Sequence, residues 1–165
     1  MYTALLLTHS LFRWLVVASL LYAIVRSYRG LTTGASFSKA DNAVRHWTAT
    51  FSHIQFMIGY TLYFISPLIK AFFANKREGL HIIDLSFFAV IHILLMTIAV
   101  VVITIGSARV KRKEHSGDKY RTMLRWFAAG LLIIFIAIPW PFSPLAKRPW
   151  LRTAAPIAYH SHLLT

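Results

Sequence analysis

The sequence predicts an all-α protein, a four-helix transmembrane bundle with both termini outside. Three observations carry this. Of the 165 residues, 57% are hydrophobic and 14% charged, with a mean hydropathy of +0.58, which is the profile of a small polytopic membrane protein. Apolar runs of about 20 residues recur along the chain, enough at a rise of about 1.5 Å per residue to match a hydrocarbon core about 30 Å thick. Lys and Arg collect in the segments between these runs, where loop charge sets orientation.

The first span covers residues 5–25. No Lys or Arg precedes it and Arg13 lies inside it, so it reads as a span rather than a signal peptide. The segment 30–42, GLTTGASFSKADN, is loop-like. Within it Ser38 and Asp41 have capping-box spacing, which starts a helix near Lys39 that continues into the second span, 47–66. The third span covers 85–105. The fourth covers 124–138 and is short, because Pro139-Trp140-Pro141 cannot continue the hydrogen-bond ladder. It extends backward toward Arg121 or tilts little. Residues 1–141 thus form the membrane domain. Residues 142–165, with Pro144, Pro149 and Pro156, form an irregular tail.

The stretch 46–67 carries two polar stripes at helical spacing. One is Thr48, Ser52, Gln55, Gly59 and Ser66; the other includes His46, His53, Met57 and Tyr60. A helix facing lipid all round carries neither. Small-polar stripes let neighbouring helices approach and hydrogen-bond. This span is therefore expected to be the core against which the others pack.

Eleven Lys and Arg flank the loops between spans one and two and between spans three and four, against six on the opposite side. That places both termini outside. The net charge of +13 is absorbed by this topology, so no nucleic-acid partner is implied. The basic segment after span three reads as a solvated topology determinant. It would also suit anionic headgroups or the acidic face of another membrane subunit. The absence of cysteine excludes disulfides, thiolate metal sites and a Cys nucleophile. No paired carboxylates, HExxH, phosphate loop or Ser elbow occurs. Broken helices and inverted repeats, the marks of a transporter, are not evident either.

Of eight histidines, His9, His53 and His92 lie within spans. Histidines on facing helices are the usual axial ligands of b-type haem. By rise per residue His9 lies roughly 6 Å, His92 roughly 11 Å and His53 roughly 20 Å from the outer boundary. His9–His92 is the better-matched pair, with His53 the second candidate. Arg13, one turn below His9, needs an anion or a carbonyl. A haem propionate, a quinone headgroup or Asp84 would each serve. Met96, one turn beyond His92, could contact a macrocycle or simply pack. Gln55, Tyr60 and Tyr63 could bind a quinone carbonyl or tie helices together. The remaining histidines read as solvated.

Several stretches also carry a resemblance: THSLFRW at 8–14, HIQFMIGYTLYFISP at 53–67, IHILLM at 91–96, ITIGSARVKR at 103–112 and IPWPF at 138–142. Together they resemble small four-helix bacterial membrane proteins that go by the name cytochrome b. The resemblance implies a bacterial inner-membrane protein and a haem b held by intramembrane histidine, here His9, His53 or His92. Ile91 and Ser107 depart from the family, which often has an acid and a histidine there. Two functions are expected from the chain. One is a b-type haem protein or subunit exchanging electrons with quinone or a respiratory partner. The other is a haem-free accessory subunit of a larger membrane complex.

Overall fold

The computed structural model describes residues 1–140. Helix α1 (Tyr2–Thr33) ends at Gly34, whose φ of 65° is left-handed and whose N–H returns to the Gly30 carbonyl. Glycine adopts that cap without steric cost. Helix α2 (Lys39–Ile65) starts as the sequence predicts. The Asp41 N–H donates to Ser38 Oγ at 3.2 Å, and the Ser38 N–H donates to the Asp41 carboxylate at 2.9 Å. Pro67 then opens α3 (Pro67–Ala74) and turns the chain by 52°. Two short helices follow, α4 (Lys76–His81) and α5 (Ile83–Ser86). The span reading gave this stretch no structure, because its apolar runs are too short to register.

A π-helical turn, Phe87–His92, leads into α6 (Ile93–Lys111). Helix α7 (Ser116–Ala137) begins well before the predicted 124, on the backward extension, and stops ahead of Pro139. The described residues contain no strand. Helix α1, the continuous run Ile83–Lys111 and α7 are each long and apolar enough to cross a bilayer, and the bent α2–α3 pair is a fourth candidate. The irregular tail expected from residue 142 onward lies outside the described residues.

Helix α1 packs on α2 and α7, and α6 packs closely on α7 and more sparsely on α2. Leu20, Ala23, Ala99, Ile103, Met123 and Phe127 are fully enclosed between them. The α6–α7 approach depends on Gly130, where an added Cβ would lie 2.6 Å from Ile103 Cγ1. The small-polar stripe of α2 faces inward, with Thr48, Ser52 and Ser66 buried. The stripe of His46, His53, Met57 and Tyr60 is exposed.

At the end where α1, α2, α6 and α7 meet through their basic segments, Asp41 is 2% exposed and joins three helices. Arg26 of α1 donates to Oδ1 at 2.8 Å, and the Tyr120 hydroxyl of α7 donates to Oδ2 at 2.8 Å. Nearby, the buried Arg45 donates to the Ser107 carbonyl at 3.3 Å, to its hydroxyl, and to Asn42 Oδ1 at 3.0 Å. Asp41 stands ahead of the apolar run that begins near residue 47. Burial pushes its carboxyl up, but hydrogen bonds from Ser38, Tyr120 and Arg26 outweigh that and hold it at about 2.

A carboxyl held below its ordinary value stabilises the fold above the unfolded value of 3.8, and that contribution disappears as pH falls through about 2. Thermal unfolding in mild detergent should therefore show a midpoint insensitive to Asp41 from pH 7 to about 5, falling as the pH drops further. Asp41→Asn should lower the pH 7 midpoint, at a cost of about 2 kcal/mol. It should also remove that acid limb. An unchanged midpoint in the variant would show that the three-helix cluster is not stabilising.

Candidate functional site

One cavity of about 520 Å³ gathers most of the chemistry-bearing residues. His9 and Arg13 enter from α1, Gln55 and Tyr60 from α2, His92 from the end of the π turn and Met96 from α6. The four-residue steps from His9 to Arg13 and from His92 to Met96 keep each pair on one face. Neither His53 nor Asp84 lines the cavity. His53 is exposed and its Nε2 pairs with Thr104 Oγ1 at 2.8 Å, so it ties α2 to α6 on the outward face.

The Gln55 amide is oriented by its partners. Its Nε2 donates to the His9 backbone carbonyl at 3.0 Å, and a carbonyl can only accept. The same nitrogen lies 3.3 Å from His9 Nε2, which must then accept. Gly59 leaves room for this arrangement, since an added Cβ would come within 3.1 Å of His9 Cε1. The other amide atom, Gln55 Oε1, is buried and has no hydrogen-bond partner among the described residues.

His92 is held by the end of α7. In a continued helix the carbonyls of Phe135 and Ala137 would accept from residues 139 and 141, and both are proline, with no N–H to give. Side chains take over. Trp140 Nε1 donates to Phe135 O at 2.8 Å, and His92 Nδ1 donates to Ala137 O at 2.9 Å. Phe87 and Phe88 flank the imidazole, with ring centroids 5.9 and 5.8 Å away. With Nδ1–H committed, the neutral ring keeps its lone pair on Nε2, and no described residue donates to it. π turns of this kind often occur at functional sites.

These positions test the expected bis-histidine haem. His92 has the arrangement of a metal-ligating imidazole, one nitrogen tied to a carbonyl and the other open. His9 does not fit as its partner, because its Nε2 lone pair is taken by Gln55. His53 points elsewhere. Met96 shares a helix face with His92 and cannot lie opposite it across a macrocycle. No group of three or more metal-ligating side chains occurs among the described residues.

Sequence reading missed Ser10 and the Ala137 carbonyl. Ser10 is buried against the cavity, but a serine beside His9 in an apolar run has no distinguishing pattern. The carbonyl does leave a trace, since Pro139 and Pro141 strip two i, i+4 donors, those for Phe135 and Ala137, from the end of α7. No family model matches the chain, and neither a curated protein nor a solved structure matches it.

The tautomers are directly measurable. In protein carrying ¹⁵N-labelled histidine, His92 should show a protonated Nδ1 and an unprotonated Nε2, with Pro141 left in place. A protonated Nε2 on His92 would contradict the Ala137 hydrogen bond.

Proposed function

We propose that the protein is a four-helix bundle of the bacterial inner membrane, with both termini outside, that binds a quinone headgroup in this cavity and serves as a subunit in electron transfer. The observation that carries the reading is the convergence of Arg13, Gln55 and His92, from three separate elements, on one mostly apolar cavity within the span region. Ligand sites have this composition, mostly apolar with a few convergent polar groups, and volumes in this range. Arginine and histidine within a span are costly and mark function.

The roles follow from the atoms. Arg13 donates N–H to a ligand oxygen. His92 Nε2 and Gln55 Oε1 accept when the headgroup carries O–H, as it does once reduced. Met96 and Phe88 pack against the ring, and Tyr60, exposed on one side, stands where an isoprenoid chain would leave toward lipid. The haem b implied by the resemblance is not assigned, because His9 is engaged by Gln55. The reading keeps the quinone and electron-transfer part of the first expected function and leaves out its haem. As a subunit it would meet other membrane proteins. Arg109, Lys111, Arg112 and Lys113, exposed at the basic end, suit an acidic partner face.

The test is quinone titration of the protein in lipid nanodiscs, followed by tryptophan quenching. Saturable binding is expected. Arg13→Gln should weaken it about ten-fold, while His53→Ala should leave it unchanged. A dithionite-reduced spectrum from haem-replete cells provides the counter-test. Sharp reduced α and β bands that vanish in His9→Ala would overturn the assignment in favour of a bis-histidine haem.

A further inference from the structure

Four side chains of the cavity offer a ligand acceptors but no donor. His92 has given its one N–H to Ala137 O. The Tyr63 hydroxyl, which also lines the cavity, donates to Ala89 O at 3.1 Å. The Ser52 hydroxyl donates to Thr48 O at 2.9 Å. The Gln55 amide protons go to His9. Each of these groups has spent its donors on the protein. What remains on each is acceptor capacity: the lone pairs of His92 Nε2, Tyr63 Oη, Ser52 Oγ and Gln55 Oε1. Among the four, Gln55 Oε1 is buried and receives no donor from the described residues. Buried acceptors left without a donor are costly, and native structures rarely leave them so.

Arg13 is a donor in the same cavity, as is His9 Nδ1–H in the tautomer that Gln55 imposes, and the Ser10, Tyr60 and Ser66 hydroxyls can serve either way. Against this background the two redox forms of a quinone differ sharply. The oxidised dione presents two carbonyl oxygens, which only accept. It can accept from Arg13 but leaves the acceptors facing lone pairs. The reduced diol presents two O–H groups that donate while their oxygens still accept. It can donate to His92 Nε2 and to Gln55 Oε1 or Tyr63 Oη, and accept from Arg13. We infer that the cavity selects the reduced, dihydroxy form of its ligand, a quinol, over the oxidised quinone. This rests on the quinone-binding reading above.

The discrimination comes from pairing polar groups and not from size. A site built to pair polar groups penalises the analogue that leaves them unpaired. The expected preference is about ten-fold or more. For a bound two-electron couple, ten-fold tighter binding of the reduced form raises the midpoint potential by about 30 mV.

The experiment uses the full-length protein in nanodiscs, titrated anaerobically with a short-chain benzoquinone analogue, with its borohydride-reduced quinol, and with the quinol's dimethyl ether. The ether keeps the ring and oxygens but cannot donate. The expected result is a quinol at least about ten-fold tighter than the quinone, with the ether no tighter than the quinone. His92→Leu should narrow the gap between quinol and quinone while retaining quinone binding. If that variant does not fold, the wild-type comparison of the three ligands still decides. Equal affinities, or a tighter quinone, would overturn the selectivity and leave the quinone site standing. Failure of all three ligands to bind would overturn both.

Discussion

The hydrogen bond from His92 Nδ1 to the Ala137 carbonyl is the interaction on which the site depends. It exists because Pro139 and Pro141, just beyond α7, have no N–H to give to the carbonyls of Phe135 and Ala137. An orphaned carbonyl in an apolar setting must find a donor. The imidazole supplies it, and by doing so loses its choice of tautomer. One chemical property of the cavity, the open lone pair on Nε2, is thus set by covalent features of a different helix. The π turn from Phe87 to Phe88 and on to His92 brings the ring to that carbonyl, and the two phenylalanines hold its plane.

The same logic of committed donors runs through the rest of the cavity. Gln55 is fixed by the His9 carbonyl, Tyr63 by the Ala89 carbonyl and Ser52 by the Thr48 carbonyl. At the opposite end of the helices the arrangement is ionic. Asp41 collects Arg26, Tyr120 and its own cap residue Ser38, so that α1, α2 and α7 meet at one buried carboxylate. Between these two ends the contacts are apolar and close, as the tight fit of Gly130 against Ile103 shows. The cluster at the basic end fixes how the helices meet, while the comparatively sparse contact between α2 and α6 leaves room for a cavity at the other.

Much of this was legible in the sequence where a local rule applied. The Ser38–Asp41 spacing placed the start of α2, and Pro139 placed the end of α7. The four-residue steps placed His9 with Arg13 and His92 with Met96 on shared faces, and those faces turned out to line one cavity. The two polar stripes of α2 were visible, but not which of them faces inward. That is decided by packing, because Gly59 and Ser52 permit an approach that His53 and Met57 do not. The rest depended on distant partners. Nothing local says that His9 meets Gln55, that His53 reaches Thr104 or that Asp41 meets Tyr120, 79 residues away. The short helices α3 to α5 and the π turn were invisible for a different reason. Hydrophobic periodicity identifies long amphipathic or apolar runs, and these elements are four to eight residues long.

Placement of the ligand is the claim that ties these pieces together, and photo-crosslinking addresses it most directly. An azidoquinone irradiated with the protein in nanodiscs, followed by peptide mapping, should label α1 around His9 to Arg13, α2 around Ser52 to Tyr63, and the segment from Phe88 to Met96. Labelling should be competed away by unmodified quinol. Label confined to the exposed face around His53 and Thr104, or spread evenly over lipid-facing residues, would contradict a quinone site in this cavity.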